Sequence, residues 1–152
     1  MYTIREQAGA VIRNAAGKIL VLKRNPERYE GWGFVKGGIE GNESARDAII
    51  REITEEVGMT IDPATMRLID LTHQTTHYHQ KNRYLAVVHW FLLQINHSDP
   101  IRFILEEEEW EKWVFDPPEE AMQRLAWHTE QQALEVALLY ISTMFLRKKP
   151  LF

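Results

Sequence analysis

Glu52, Glu55 and Glu56 sit on one short segment that is entered through the glycine pair Gly37-Gly38. At roughly 100° per residue, Glu52 and Glu56 project within about 40° of each other, with Glu55 about 60° to the other side of Glu52. Ile49, Ile53 and Val57 form a neighbouring stripe that should face a core, so the carboxylates border the buried side of a helix. Like charges at this spacing repel by a few tenths of a kcal/mol per pair, about 0.2–0.5, even at the surface. A hard divalent cation is the simplest counter-charge, because it takes oxygen ligands and leaves room for substrate phosphates. The cluster therefore points to metal-assisted chemistry on a phosphorylated compound. For the glutamates alone, a solvated amphipathic helix stays open as the other reading.

The residues around the cluster suit a helix that carries such a site. Asn42 reads as the N-cap, since its side chain can accept from an orphan backbone N–H. Gly58 reads as the stop, where a left-handed residue is easiest without a Cβ. Ala45 and Ala48 are small enough to leave space for a ligand beside the carboxylates. Arg51 can reach Glu43 or Glu55 and fix the orientation of a metal-binding carboxylate.

Gly37, five residues, Glu43, seven residues, then Arg51-Glu52-Ile53-Thr54-Glu55-Glu56-Val57-Gly58-Met59 resembles the Nudix box of MutT-like hydrolases. Every fixed position of that signature is filled, which is far more specific than a lone glycine motif. The resemblance implies an α/β/α sandwich with a mixed sheet between helices. It implies hydrolysis of a nucleoside diphosphate linked to another group, with Mg²⁺ or Mn²⁺. Carried over position by position, Glu52, Glu55 and Glu56 would be metal ligands, joined by the backbone carbonyl of Lys36. Gly37 and Gly38 would let the backbone approach metal and phosphate closely, and Glu43 and Arg51 would orient the carboxylates. Bound metal ions cancel charge on bridging oxygens and lower the pKa of a water that attacks phosphorus.

Outside the box, Trp32-Gly33-Phe34-Val35-Lys36-Gly37-Gly38 looks like the WGFPKGG stretch of diadenosine tetraphosphate hydrolases, with Val35 in place of proline. The acidic run Glu106 to Glu109, followed by Trp110-Glu111-Lys112-Trp113, resembles the E-H-x-x-Y-K-W segment of several Nudix subgroups. Aligning on Lys112-Trp113 makes Glu107 the metal ligand or base, with Glu108 as the fallback and Glu56 as the competing base. A base must stand within hydrogen-bond reach of the attacking water. The expected catalytic set is thus Arg51, Glu55, Glu56 and Glu107. Lys23, Arg24 and Lys36 are placed to grip phosphate oxygens, Arg as a bidentate fork. Trp32, Tyr78 and Tyr84 are candidates for base stacking, because aromatic faces accept any nucleobase. Trp90 lies on an apolar stretch and reads as core. His73, His77 and His79 read as polar strand residues near substrate rather than a zinc site, which draws on more than one element. The tail Trp127-His128-Thr129-Glu130-Gln131-Gln132-Ala133-Leu134 looks like that of dihydroneopterin- or dNTP-type pyrophosphohydrolases.

Elements must hold these residues in place. Gln7 to Ile12 and Ile19 to Arg24 flank the turn Asn14-Ala15-Ala16-Gly17-Lys18 as two strands. Met66 to His77 and Tyr84 to Ile95 read as long strands joined through His79-Gln80-Lys81-Asn82. The second is almost continuously apolar, as expected of a strand covered on both faces. Trp113 to Phe115 reads as a short strand. Asp116-Pro117-Pro118 starts a helix with aspartate as cap and proline in the first turn. Glu130 to Phe145 closes the chain as a helix.

Composition narrows the function. The 152 residues read as one domain, 1–152, long enough for a proper core. The chain has no cysteine, which excludes disulfides, thiolate metal sites and a cysteine nucleophile and fits a reducing cytoplasm. No apolar run approaches the roughly 20 residues that span a bilayer. A net charge of −4 argues against a long nucleic acid as partner, since binding one needs a basic face. It leaves nucleotides untouched when metal ions supply positive charge. The leading expectation is a diadenosine polyphosphate as substrate. A (deoxy)nucleoside triphosphate or dihydroneopterin triphosphate comes next, and trimming of RNA 5′ ends third. A nucleotide-sensing module without turnover is the alternative of a different class. A homodimer stays open.

Overall fold

The computed structural model describes residues 3–147. At its centre, β1 (Thr3–Arg13) runs parallel to β6 (Tyr84–Ile95) along their full lengths. On the far side of β6 lies β5 (Met66–His79), antiparallel. Beyond β1 come β2 (Ile19–Arg24), β3 (Trp32–Gly33) and β4 (Val35–Gly38), with β4 pairing β1 and β3 pairing β2. β7 (Trp110–Asp116) pairs β2 antiparallel. The mixed sheet is covered on one face by α1 (Ala45–Val57) and on the other by α2 (Pro118–Arg124) and α3 (His128–Arg147). This is the expected α/β/α sandwich.

Strand alternation divides the core in two. Ala8, Ala10 and Ile12 of β1 join Phe91, Leu93 and Ile95 of β6 beneath Ile49, Ile53 and Val57 of α1. Val11 of β1 with Val88, Trp90 and Leu92 of β6 faces Ala133, Leu134 and Ala137 of α3. A sheet buried on both faces needs such near-continuous apolar strands. Trp90, 1% exposed, is the largest core residue, and its Nε1–H donates to Thr75 Oγ1 at 2.7 Å. Its ring lies so close over β1 that a Cβ on Gly9 would stand 2.6 Å from it. Trp90 is core, as expected.

Five local expectations are corrected. The α1 N-cap is Ser44, not Asn42: its Oγ accepts from Asp47 N–H at 3.0 Å. The chain before it turns tightly, with Glu40 N–H bonded to Glu43 Oε1, so the helix starts later than Asn42. Ala48 is fully buried in the core and Ala45 packs against it, so neither leaves room for a ligand. β5 runs on to His79, so the connecting turn is shorter. At Asp116 the carboxylate accepts from Arg124 Nε rather than capping; α2 begins after Pro117 without a side-chain cap. β7 is also longer than Trp113 to Phe115, because Trp110 is buried and pairs with Arg24. Gly58 ends α1 at φ 69°, left-handed as expected.

Candidate functional site

α1 presents its glutamates in three different environments. Glu55 is exposed, Glu52 is half-enclosed and Glu56 is 5% exposed. Arg51 stands among them: Nε and Nη2 bond Glu43 at 2.9 Å, and Nη1 bonds Glu52 at 2.9 Å and Glu55 at 3.2 Å. Its Nη2 also donates to the Gly38 carbonyl at 2.8 Å, tying the glycine turn to the helix. Arg51, expected to reach Glu43 or Glu55, bonds both. Among the described residues, no three carboxylate or imidazole groups converge as a metal-ligating set. Arg51 instead holds Glu52 and Glu55 by hydrogen bonds to their carboxylates.

Gly37 brings backbone against carboxylate. A Cβ there would stand 2.1 Å from Glu52 Cδ, so only glycine lets β4 lie against this side chain. Gly38 has open space at the same point, so its need is not steric.

Glu56 carries the strongest electrostatic stress. Burial, then the charges of Glu52, Glu109 and Glu106, hold its carboxyl well above the usual carboxylate range, with Arg24 opposing them. Its Oε2 is buried without a hydrogen-bond partner. Glu52 is also pushed up, chiefly by desolvation against the pull of Arg51. A divalent cation relieves both, which is the chemical sense in which this donor set fits one.

The acidic run reaches the site by its backbone. Glu106 N–H donates to the Glu56 carbonyl at 2.8 Å, and Ile104 N–H donates to the Val57 carbonyl at 2.9 Å. This docks the loop on the end of α1 and turns Glu106 and Glu109 toward Glu56. Glu109 lines the adjoining cleft and pairs with Arg28 at 2.5 Å. Glu107 and Glu108 are exposed, and the Glu107 contact is its carbonyl accepting from Asn25 Nδ2 at 3.1 Å. The structure thus brings Glu109, which alignment on Lys112-Trp113 passed over, to the place expected of Glu107. Glu109 is half-buried, next in sequence to the buried Trp110.

Beside Glu56 opens a cleft of about 130 Å³. Arg24 from the end of β2 and Lys36 from β4 form its cationic floor. Both are organised by Glu130 of α3, which is fully buried. Glu130 accepts from Arg24 Nη2 at 2.8 Å and from Phe34 N–H at 2.5 Å, and it lies 3.8 Å from Lys36 Nζ. Burial lowers the Lys36 pKa, while Glu130 and Glu56 push it back up. The Arg24 guanidinium and the Lys36 ammonium each sit 4.1 Å from the Trp127 ring centre. Tyr29, Phe34, His77, His79, Tyr84 and Trp110 complete the walls. Burial, with Lys36 and His79 nearby, holds the His77 pKa down.

Arg24, Lys36, His77, His79 and Tyr84 therefore line one cleft. Trp32 does not join them: it packs under Arg124 and Lys112, at 4.7 and 5.7 Å from its ring centre. Tyr78 and His73 lie outside the cleft, and Lys23 pairs with Glu111 at 3.4 Å on the surface. Trp127 and Glu130 sat in a recognised tail, but pairing them with Arg24 required the fold.

The Arg51 grip on Glu43 has a measurable consequence. Arg51 and the Glu40 N–H hold the Glu43 carboxyl down to about 2. A depressed carboxylate contributes stability that is present above its ordinary value, 4.5, and is lost as pH falls toward the folded value. Urea unfolding should show Glu43→Gln less stable than the unchanged chain at pH 7. The gap should close between about pH 4.5 and 2.

Against known proteins, the NUDIX domain family model matches residues 3–137. An RNA pyrophosphohydrolase of Psychrobacter sp. is 30% identical over 121 residues, 72% of this chain and 68% of that protein. The Haemophilus influenzae RNA pyrophosphohydrolase is 36% identical over 101 residues, 60% of this chain and 50% of that protein. The Escherichia coli dihydroneopterin triphosphate pyrophosphohydrolase structure superposes with a TM-score of 0.74 at 23% identity, covering 89% of this chain and 95% of that one. The Caenorhabditis elegans Ap4A hydrolase binary complex gives 0.72 at 23% identity, covering 91% and 98%.

Proposed function

The chain belongs to the NUDIX family of hydrolases, a pyrophosphohydrolase by its kinship, and from that premise we propose that it cleaves a pyrophosphate bond in a nucleoside polyphosphate with Mg²⁺ or Mn²⁺. The observation that carries this reading is Glu56, a buried carboxylate with an unpartnered oxygen, set between a carboxylate-rich helix and a cationic cleft. Glu52, Glu55 and Glu56 with the Lys36 carbonyl would hold the metal, which supplies charge neutralisation and an activated water. Arg51 positions Glu52 and Glu55. Arg24 and Lys36 bind the substrate, and Glu109, Glu107 or Glu56 stands as base. Gly37 keeps the backbone against Glu52, and Gly38 offers Arg51 its carbonyl. The one domain works on a small-molecule nucleotide in the cytoplasm, with no membrane partner; among the described residues no helix is long and apolar enough to cross one.

Two substrate readings compete. The Trp32-to-Gly38 stretch and the likeness to the Ap4A hydrolase fold support diadenosine tetraphosphate. Trp127 in the cleft, and a volume that suits a single ring system, favour a nucleoside or dihydroneopterin triphosphate. RNA 5′-end trimming, the activity named for the bacterial relatives, meets the net charge of −4 as an obstacle. A product assay with diadenosine tetraphosphate, the nucleoside triphosphates, dihydroneopterin triphosphate and 5′-triphosphorylated RNA separates these readings. The expected result is metal-dependent anhydride cleavage of at least one small molecule. Inertness toward all of them with both metals would remove the hydrolase reading, and inertness toward dinucleotides alone would remove the first substrate.

A further inference from the structure

The cleft beside Glu56 concentrates unpaired buried polar atoms. Among the described residues, eight buried side-chain nitrogens or oxygens have no hydrogen-bond partner, and six of these belong to residues lining this cleft. Buried polar groups nearly always carry partners, so such a concentration marks a surface shaped for a polar ligand.

Three of the six are donors, Gln7 Oε1 and Glu56 Oε2 are acceptors, and His77 Nδ1 can be either. Arg24 Nη1, Lys36 Nζ and Trp110 Nε1 have no hydrogen-bond partner, Lys36 keeping only its ion pair with Glu130 at 3.8 Å. Arginine, protonated lysine and indole nitrogens donate and do not accept. Arg24 and Trp110 are 5% and 4% exposed, so neither can swing out to water. Glu130 holds Arg24 through Nη2 and leaves Nη1 directed elsewhere. Gln7 adds an amide oxygen from β1 as an acceptor. Around them stand flat side chains, with Tyr29 edge-on to Trp127 at 6.1 Å and His77 tilted to it at 6.0 Å. The space is below the roughly 300 Å³ at which drug-sized pockets begin, so it takes one end of a substrate.

We propose that this cleft holds the ring end of the substrate and selects a ring with an oxo group beside a ring-nitrogen acceptor, the guanine or pterin class, over the adenine class. Guanine presents two acceptors, O6 and N7, along one edge, whereas adenine presents N7 and a donating amino group. An oxo-bearing edge answers two of the three fixed donors, and the ring's 2-amino group has Gln7 Oε1 as acceptor. An adenine edge sets its amino hydrogens against a cation and leaves two of the three donors unanswered. Sites built to pair a ligand group discriminate strongly against analogues that cannot make the pair. The inference rests on the reading that the substrate is a nucleoside polyphosphate, and it turns the choice toward the second substrate class. Phosphate oxygens are also acceptors, so the test separates the two sources.

The test compares molecules that differ only in the ring. GTP and ITP should be hydrolysed with kcat/KM about tenfold or more above ATP and 2,6-diaminopurine riboside triphosphate, which lacks the oxo group. In parallel, quenching of tryptophan fluorescence should show GDP binding about tenfold more tightly than ADP, with inorganic tripolyphosphate a poor competitor. Lys36→Met and Trp110→Phe, which remove one donor each and keep bulk, should both narrow the GDP-to-ADP ratio. Equal handling of the two rings in turnover and in binding overturns the proposal. So does tripolyphosphate displacing GDP as effectively as GDP itself, or a ratio that neither variant changes. If neither these triphosphates nor any other compound of the product assay is hydrolysed but GDP still binds preferentially, the hydrolase reading falls and the ring selection stands.

Discussion

Glu56→Gln is expected to lower turnover by about a thousandfold or more, a loss of the size seen when one preorganised electrostatic or acid–base group is removed. The same variant should unfold no more easily than the unchanged chain at pH 7. The reason is the stress on this carboxyl: it is buried, one oxygen lacks a hydrogen-bond partner, and Glu52, Glu106 and Glu109 repel it. Glutamine keeps the shape and removes the charge. Activity and stability should therefore move apart, which simple misfolding cannot produce. Steady-state rates with Mg²⁺ and a urea titration on the same preparation give both numbers. A variant as active as the unchanged chain would take the metal site away from this residue.

Glu130→Ala should have the largest effect on stability, about 3–5 kcal/mol, the range for removing one partner of a buried ion pair. Alanine leaves Arg24 buried without its carboxylate and strips Phe34 N–H of its acceptor. In a chain of 152 residues this corresponds to a fall in Tm of roughly 10 °C. Removing both charges with Arg24→Met and Glu130→Leu should recover part of the loss, since an apolar pair of similar volume is often as stable. Recovery should be incomplete because the Phe34 amide stays unanswered, a penalty of about 1–3 kcal/mol. Thermal melts of the single and double variants decide it. A Glu130→Ala chain that melts with the unchanged one would show that this carboxylate does not organise the cleft.

What could be read from the sequence followed from periodicity and spacing. The α1 stripe Ile49, Ile53 and Val57, the apolar run of β6 and the Gly58 stop each rest on one local pattern, and each holds. Caps were harder to place, because Asn42, Ser44 and Asp116 all own suitable oxygens and only the surrounding turn decides which is used. Within the site, the contact of Arg51 with Glu55 followed from i,i+4 spacing, whereas Glu43 precedes the α1 cap and meets Arg51 through the turn that carries it. The cleft did not. Arg24 and Glu130 are 106 residues apart, and no local rule joins them. Which side chains of the acidic run face Glu56 depends on how the loop lands on α1, and that is set by backbone hydrogen bonds that no motif encodes.

The parallel pairing of β1 with β6 has a kinetic side. Its partners stand about 81 residues apart, the separation of Arg13 and Gln94, so a chain leaving the ribosome can pair β1 with β2 and β4 early but must carry its β6 edge unmatched until Tyr84–Ile95 emerges. Closure of so long a loop precedes any reward from the central ladder, which makes assembly slow for the molecule's size. The apolar edge of Ala8 to Ile12 is then the segment most open to wrong partners while the nascent polypeptide waits.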